Sequence, residues 1–236
     1  MESELKDKKN EDVSKLFDDI SHRYDFLNHF LSFGIDKTWR KRLIKLVGKE
    51  QPDQILDVAT GTADLAIYAA VYIDYSHISG IDISKKMLEI GERKVGLLHL
   101  QKRIKLIQVA AEKISFDDNT FDAAMVAFGV RNFEHLAGGI KEMLRVIKPG
   151  KRLFILEFSK PRGILKPFYM FYFKVLLPMF GRMISKNKLA YSYLRDSVIE
   201  FPDDKIFLAI LTQCGCRNAY QKRLSGGIAT IYVGQK

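Results

Sequence analysis

Cysteine is nearly missing from this chain of 236 residues. Its two thiols, Cys214 and Cys216, stand too close together for an ordinary structural disulfide, and two thiols alone make a poor metal site. Two reduced cysteines of a cytoplasmic protein are therefore expected. Proline is sparse: the six, at 52, 149, 161, 167, 178 and 202, include no adjacent pair. Glycine never falls into G-x-G-x-x-G or G-x-x-x-x-G-K-[ST], so both the dinucleotide fingerprint and the phosphate loop are lacking. No apolar run is long enough to span a bilayer, because the best one, FYMFYFKVLLPMF, is short and broken by Lys174 and Pro178. The charged start, MESELKDKKNEDVSK, has no apolar stretch behind it, so no secretory leader is expected.

Acid is missing from one long stretch. Between Lys160 and Arg195 there are eight Lys or Arg residues, eight aromatics and no Asp or Glu. Most of the formal net charge of +10 therefore sits in one aromatic-rich segment, and the rest of the chain is close to neutral. That distribution points to a local surface, not to a globally basic nucleic-acid binder.

What is present is a regular alternation. Val13, Leu16, Phe17 and Ile20 fall at helical spacing, and Trp39, Leu43, Ile44 and Val47 mark a second helix ending near Gly48. Strands are predicted at 54–58, 77–81, 104–108, 122–127 and 152–157, with helices near 63–73, 84–95 and 135–147. A helix near 203–213 and strands at 217–222 and 228–233 follow, the last two joined at Gly226 and Gly227. Strand and helix alternating at this spacing imply an α/β fold with a mostly parallel sheet. Five β-α units closed by an antiparallel hairpin are the layout of a seven-stranded, Rossmann-like methyltransferase fold. The division expected is an N-terminal helical cap (1–50), a cofactor-binding core (51–159), an aromatic and basic lid (160–202) and a C-terminal part completing the core (203–236).

The most informative stretch is ILDVATGTADLA, residues 55 to 66. A strand ending at Asp57 runs through Ala59, Thr60, Gly61 and Thr62 into helix-forming residues, which lets backbone approach a ligand beside a helix start. Asp82 ends the second strand, where an ionised carboxylate can accept both hydroxyls of a ribose. One glycine with a strand-terminal acid suits a ligand carrying ribose but no pyrophosphate, of which S-adenosylmethionine is the common one. Ligands in such sheets bind beyond the carboxyl ends of the strands. Asp57, Thr62 and Asp82 map there, as do Ala110 and Ala111 after the third strand and Ala127 to Asn132 after the fourth. Asp82 could instead cap the helix after it, and Thr62 could cap the helix beginning at Ala63.

Three stretches are longer and more specific: YDFLNHFLSFGIDKTW at 24–39, AFGVRNF at 127–133 and RVIKPGKRLFILEFS at 145–159. They resemble the quinone C-methyltransferase family of menaquinone and ubiquinone biosynthesis. The matching positions are Tyr24, Asp25, Asn28, Ser32, Gly34 and Trp39 in the first signature. In the second they are Arg145, Val146, Lys148, Pro149, Gly150, Glu157 and Ser159. Asp36, Ala110 and Lys151 depart from the usual pattern. The resemblance implies S-adenosylmethionine-dependent methylation of a prenylated quinol ring, demethylmenaquinol to menaquinol. The alternative acceptor is the 2-methoxy-6-polyprenyl-benzoquinol of the ubiquinone pathway. It implies cofactor contacts at Thr62, Asp82, Ala110 and Ala111, with Gly61 beside the methionine part; Asp57 and Ala127 complete the candidate cofactor set. No metal is expected.

Methylating a ring carbon needs loss of the neighbouring hydroxyl proton, an oriented ring and a stabilised phenolate. The candidate catalytic residues are Arg131, Asn132 and Tyr24, with Asp25 and Asn28 nearby in sequence. Arg131 stays charged and is a poor base, so it is cast as the phenolate's cation, ordering a water that takes the proton. His22, His29 and His135 have suitable intrinsic pKa values but are more often surface or structural residues. The segment 160–200 is expected to cover a polyprenyl-tailed substrate and to meet anionic headgroups. That places the protein in the cytoplasm, peripherally on the inner face of the membrane. Two rivals remain: a nucleic-acid methyltransferase, which would carry Pro-Pro-aromatic or Pro-Cys motifs missing here, and a non-catalytic binding subunit of the same fold.

Overall fold

The computed structural model describes residues 34–161 and 196–236, together with Lys15 and Asp18. The predicted first helix lies outside the described residues but for those two, as do Tyr24, Asp25, Asn28 and most of the aromatic basic segment.

Helix α1 (Asp36–Gly48) leads into β1 (Gln54–Val58), α2 (Asp64–Tyr72), β2 (His77–Asp82), α3 (Lys85–Leu97) and β3 (Ile104–Gln108). Then come β4 (Phe121–Ala127), a 3₁₀ turn (Val130–Asn132), α4 (Leu136–Val146) and β5 (Ile147–Phe158). Helix α5 (Lys205–Gln213) precedes β6 (Arg217–Leu224) and β7 (Ala229–Gln235). The seven strands form one sheet in the order β3-β2-β1-β4-β5-β7-β6. Neighbours among β1 to β5 run parallel, and β7 lies antiparallel between β5 and β6.

The sequence explains the positions. Strand β4, FDAAMVA, is apolar or small almost throughout and is buried from Phe121 to Val126, as a central parallel strand covered on both faces should be. Strand β6 alternates exposed and half-buried residues and carries Arg217, Lys222 and Arg223, which suits an edge. Strand β5 begins earlier than the apolar run suggested: Ile147 pairs with Phe121, then the register jumps, and Arg152 pairs with Ala123. Gly150, at φ 78°, provides the bend. Helix α1 buries Trp39, Leu43, Ile44 and Val47 against α2, β4 and β5. The Trp39 indole donates to Ser225 Oγ at 2.9 Å, tying α1 to the 3₁₀ turn (Ser225–Gly227) between β6 and β7.

Chain order runs outward from β1 in both directions, so the switch point lies between β1 and β4. There the loops leaving the two strands nearly touch: a Cβ on Gly129 would come 2.5 Å from that of Ala59. A crevice beyond the carboxyl ends of β1, β2 and β4 is the consequence.

Candidate active site

The loop after β1 forms the crevice floor. Ala59 (φ 51°), Gly61 (φ 56°) and Ala63 (φ 65°) all lie in the left-handed region, so the loop turns sharply three times within five residues. Non-glycine residues held there cost free energy and are retained where the surroundings over-determine them. Gly80 and Gly91 make room for the loop: a Cβ on Gly80 would sit 2.9 Å from Thr60 Oγ1, and one on Gly91 3.1 Å from Ala63 Cβ.

Asp82 locks this loop. Its Oδ2 accepts from Gly61 N at 2.8 Å and its Oδ1 from Ser84 N at 2.8 Å. These bonds orient the carboxylate, and its two oxygens retain acceptor capacity for a ligand hydroxyl. Burial raises its pKa, and the Ser84, Gly61 and Ile83 N–H groups pull it back down. The cap of α3 is Ser84, whose hydroxyl accepts from Met87 N at 3.2 Å; Asp82 is not the cap. Ser84 Oγ also donates to Asp18 Oδ1 at 2.6 Å, which brings Asp18 to the crevice rim.

Thr62 does not cap α2 either. Its hydroxyl accepts from Lys94 Nζ at 2.9 Å, and the helix starts behind the left-handed Ala63 without a side-chain cap. Ala110 and Ala111 begin the loop after β3. Arg145 staples that loop, donating to the Ile114 and Phe116 carbonyls and pairing with Asp118 and Glu142. Ala127 ends β4, half-buried at the same edge.

Asp57 is 1% exposed at the end of β1. Thr60 Oγ1 donates to its Oδ2 at 2.6 Å, while Oδ1 is buried without a hydrogen-bond partner. Burial pushes its pKa up to about 7, against the opposing pull of Thr60 and Arg40.

On the acceptor side, Arg131 is almost wholly enclosed. Nη1 donates to Glu157 Oε1 at 2.7 Å and to the Phe128 carbonyl at 2.6 Å, and Nε reaches Ser197 Oγ at 3.3 Å. Side-chain exposures are 2% for Arg131 and 0% for Glu157, so this is a buried ion pair. Phe158 N donates to Glu157 Oε1 and Arg131 N to Oε2, and the guanidinium lies 5.4 Å from the Phe158 ring centre. Burial pushes the Glu157 pKa up and Arg131 draws it down. A cavity of about 250 Å³ opens beside Arg131 and Asn132, walled by Phe133, Asp196, Ser197 and Glu200.

The carboxyl edge thus gathers Asp57, Gly61, Asp82, Ala110, Ala111, Ala127, Arg131 and Asn132, while the Thr62 hydroxyl is directed at Lys94. Tyr24 lies outside the described residues. Sequence reasoning passed over Arg40, Asp18 and Lys94, and quoted Glu157 without giving it a role. Nothing in the pattern separates Arg40 from Lys37, Lys41, Arg42 and Lys45 on the same helix; only the fold buries it. Among the described residues no cluster of His, Cys, Asp or Glu could hold a metal ion.

Residues 3–236 match the ubiE/COQ5 methyltransferase family. The chain belongs to it. It is 46% identical over 230 residues to the ubiquinone/menaquinone biosynthesis C-methyltransferase UbiE of Geotalea daltonii, covering 97% of both chains. It is 41% identical to the demethylmenaquinone methyltransferase of Bacteroides fragilis, over 97% of this chain and 94% of that one. A SAM-dependent methyltransferase of Thermotoga maritima, described as a possible histamine N-methyltransferase, shares the fold at TM-score 0.67 and 15% identity. That match covers 95% of this chain and 99% of the other. A putative S-adenosyl-L-methionine-dependent methyltransferase of Methanococcus maripaludis aligns at TM-score 0.61 and 19% identity, over 94% and 91%. The expected seven-stranded methyltransferase fold and the expected family both hold. The residues present also fit the methyl donor: an acid with spare lone pairs for the ribose, a close-approach loop, and a buried Asp57 oxygen awaiting a donor.

Proposed function

We propose that this methyltransferase carries a methyl group from S-adenosylmethionine to the ring carbon of a polyprenylated naphthoquinol, converting demethylmenaquinol to menaquinol. The observation that carries this reading is the near full-length match, at 41% identity, to a relative named for demethylmenaquinone. The donor supplies an activated sulfonium methyl when bound. The chain's own residues would bind and orient it: Asp82 would hold the ribose hydroxyls, and the loop from Ala59 to Ala63 the methionine part. Ala110, Ala111 and Ala127, at the same carboxyl edge, would complete its contacts.

Arg131 faces the acceptor side with its charge fixed by Glu157. There it stabilises the phenolate that forms as the ring hydroxyl loses its proton, an interaction made mainly in the transition state. Asn132 orients the oxygen or the water that takes the proton. The prenyl tail is received by the aromatic segment 160–195, whose cations favour an anionic bilayer surface by about 1 kcal/mol each. No helix among the described residues is long and apolar enough to cross a membrane.

The test is direct. Purified protein with S-adenosylmethionine and chemically reduced demethylmenaquinol should yield menaquinol, read as one added methylene mass. The oxidised quinone, with its electron-poor ring, should be inert. Methylation of the benzoquinol alone would shift the assignment to the ubiquinone pathway, and transfer to RNA or DNA would overturn it.

A further inference from the structure

Helix α2, DLAIYAAVY, has no polar face. Leu65, Ala66, Ala69 and Ala70 turn inward to the core, as an apolar stripe should, yet Ile67, Tyr68, Val71 and Tyr72 on the other side are apolar or aromatic too. Val71 is 60% and Tyr72 51% exposed, and the end of α3 presents Leu97 at 81% and Leu98 at 53%. A helix that is apolar all round is normally covered on both sides. Here the outer side holds a cavity of about 370 Å³ between Tyr68, Leu97 and Leu98, rimmed by Lys37 and Lys94. Helix α1 lays its cations along the same face. Lys41 Nζ stands 5.9 Å from the centre of the Tyr72 ring, and that ring stacks on Tyr68 at 6.2 Å. Asp64, the acid at the rim, is taken by Lys94 at 2.7 Å, so the charge the face presents is that of Lys37 and Lys41.

We infer that this face of α1, α2 and α3 is a docking surface, and that its occupant is the surface of an anionic lipid bilayer. It uses no residue of the segment 160–195, and it does not depend on the reaction proposed above. The composition suits the headgroup boundary. Tyrosine and lysine each carry an apolar body and a polar tip, so both bury carbon while the hydroxyl or ammonium stays among the headgroups. Leu97 and Leu98, protruding at a helix end, reach the acyl boundary while the lysines meet lipid phosphate. A second copy of the chain is opposed by charge, because a two-fold contact sets the same lysines of both copies against one another. Lys94 also donates to the Thr62 hydroxyl at 2.9 Å, so the face adjoins the loop that floors the crevice.

Flotation of the full chain with vesicles of equal parts phosphatidylglycerol and phosphatidylcholine tests this. Lys37→Glu with Lys41→Glu should weaken binding at least tenfold at low salt, each lysine near such a surface contributing about fivefold. The gap should narrow as salt is raised. Leu97→Ser with Leu98→Ser should weaken binding at low and high salt alike, because apolar contact is not screened. All four side chains are exposed, so Tm and S-adenosylhomocysteine affinity should match the wild type. Unchanged vesicle binding in either pair of variants would overturn the inference. A wild-type dimer in sedimentation velocity that Leu97→Ser with Leu98→Ser dissolves would also overturn it, giving the face to a second copy. Turnover on a short-chain quinol is read separately. If the wild type fails there while vesicle binding follows these variants, the proposed reaction falls and the docking surface stands.

Discussion

Replacing Asp57 by Asn should make the protein more stable at pH 8 than at pH 5, relative to wild type. The side chain is buried, and its pKa is raised from 3.8 to about 7, chiefly by loss of solvation. An acid whose pKa is raised by folding binds more protons folded than unfolded. Stability is therefore lost as pH rises from the unfolded value toward the folded one, the reverse of a salt-bridged carboxylate. With about 1.4 kcal/mol per unit, the total cost above pH 7 is on the order of 4 kcal/mol, and about 2.5 kcal/mol of it accrues between pH 5 and pH 8. Asn keeps an oxygen for the Thr60 hydroxyl and has no charge to desolvate. Asp82 and Glu157 are also pushed up by burial, so wild-type stability alone would mix three groups. The difference between mutant and wild type isolates Asp57. Urea unfolding at both pH values supplies it. A difference that does not change with pH, or a mutant less stable at pH 8 than at pH 5 relative to wild type, refutes the reasoning.

Other outcomes follow from the same geometry. Asp82→Ala should weaken donor binding more than tenfold by calorimetry, since a charge-assisted acceptor is worth about 1.5–3 kcal/mol, and should loosen the Gly61 turn it holds. Glu157→Gln should destabilise by about 3–5 kcal/mol in chemical unfolding by leaving Arg131 buried and unpaired; adding Arg131→Met should restore much of that stability while turnover stays lost. Gly129→Ala should cost about 1–3 kcal/mol in the same assay, because its Cβ would overlap that of Ala59, and donor affinity should fall with it. Lys186→Glu with Lys188→Glu should weaken binding to anionic vesicles at low salt in sedimentation assays, and should leave turnover on a short-chain quinol intact.

The alternation of the core was legible because its strands are short apolar runs separated by helical periods, and the predicted elements differ from the observed ones by a few residues at their ends. Strand β5 shows the limit. Its first residues, IKPG, carry a proline and a glycine and read as a turn, yet Ile147 pairs with Phe121 because the strand is bent at Gly150 and shifted by a bulge. Periodicity also failed to distinguish α1 as a source of site residues. Its buried stripe of Trp39, Leu43, Ile44 and Val47 is plain, but Asp36 and Arg40 lie on the same face, and a pattern of apolar residues says nothing about charged ones buried beside them.

The long signatures that revealed the family mark packing as much as chemistry. Trp39 anchors α1 through Ser225, and Arg145 ties down the loop after β3. Lys148 pairs with Asp122, whose other oxygen accepts from Asp53 N and Gln54 N at the start of β1. Ser159 donates to the Gly227 carbonyl and shares a hydrogen bond with Thr230, joining β5 to the turn before β7. Glu157, two residues before Ser159, differs in kind, because its carboxylate fixes the Arg131 guanidinium on the acceptor side. A signature match therefore identifies which fold is held, whereas a role at the reacting ring follows only where a side chain is both fixed by its neighbours and turned toward the crevice. Arg131, fixed by Glu157 beside the cavity at Asn132, is the candidate there.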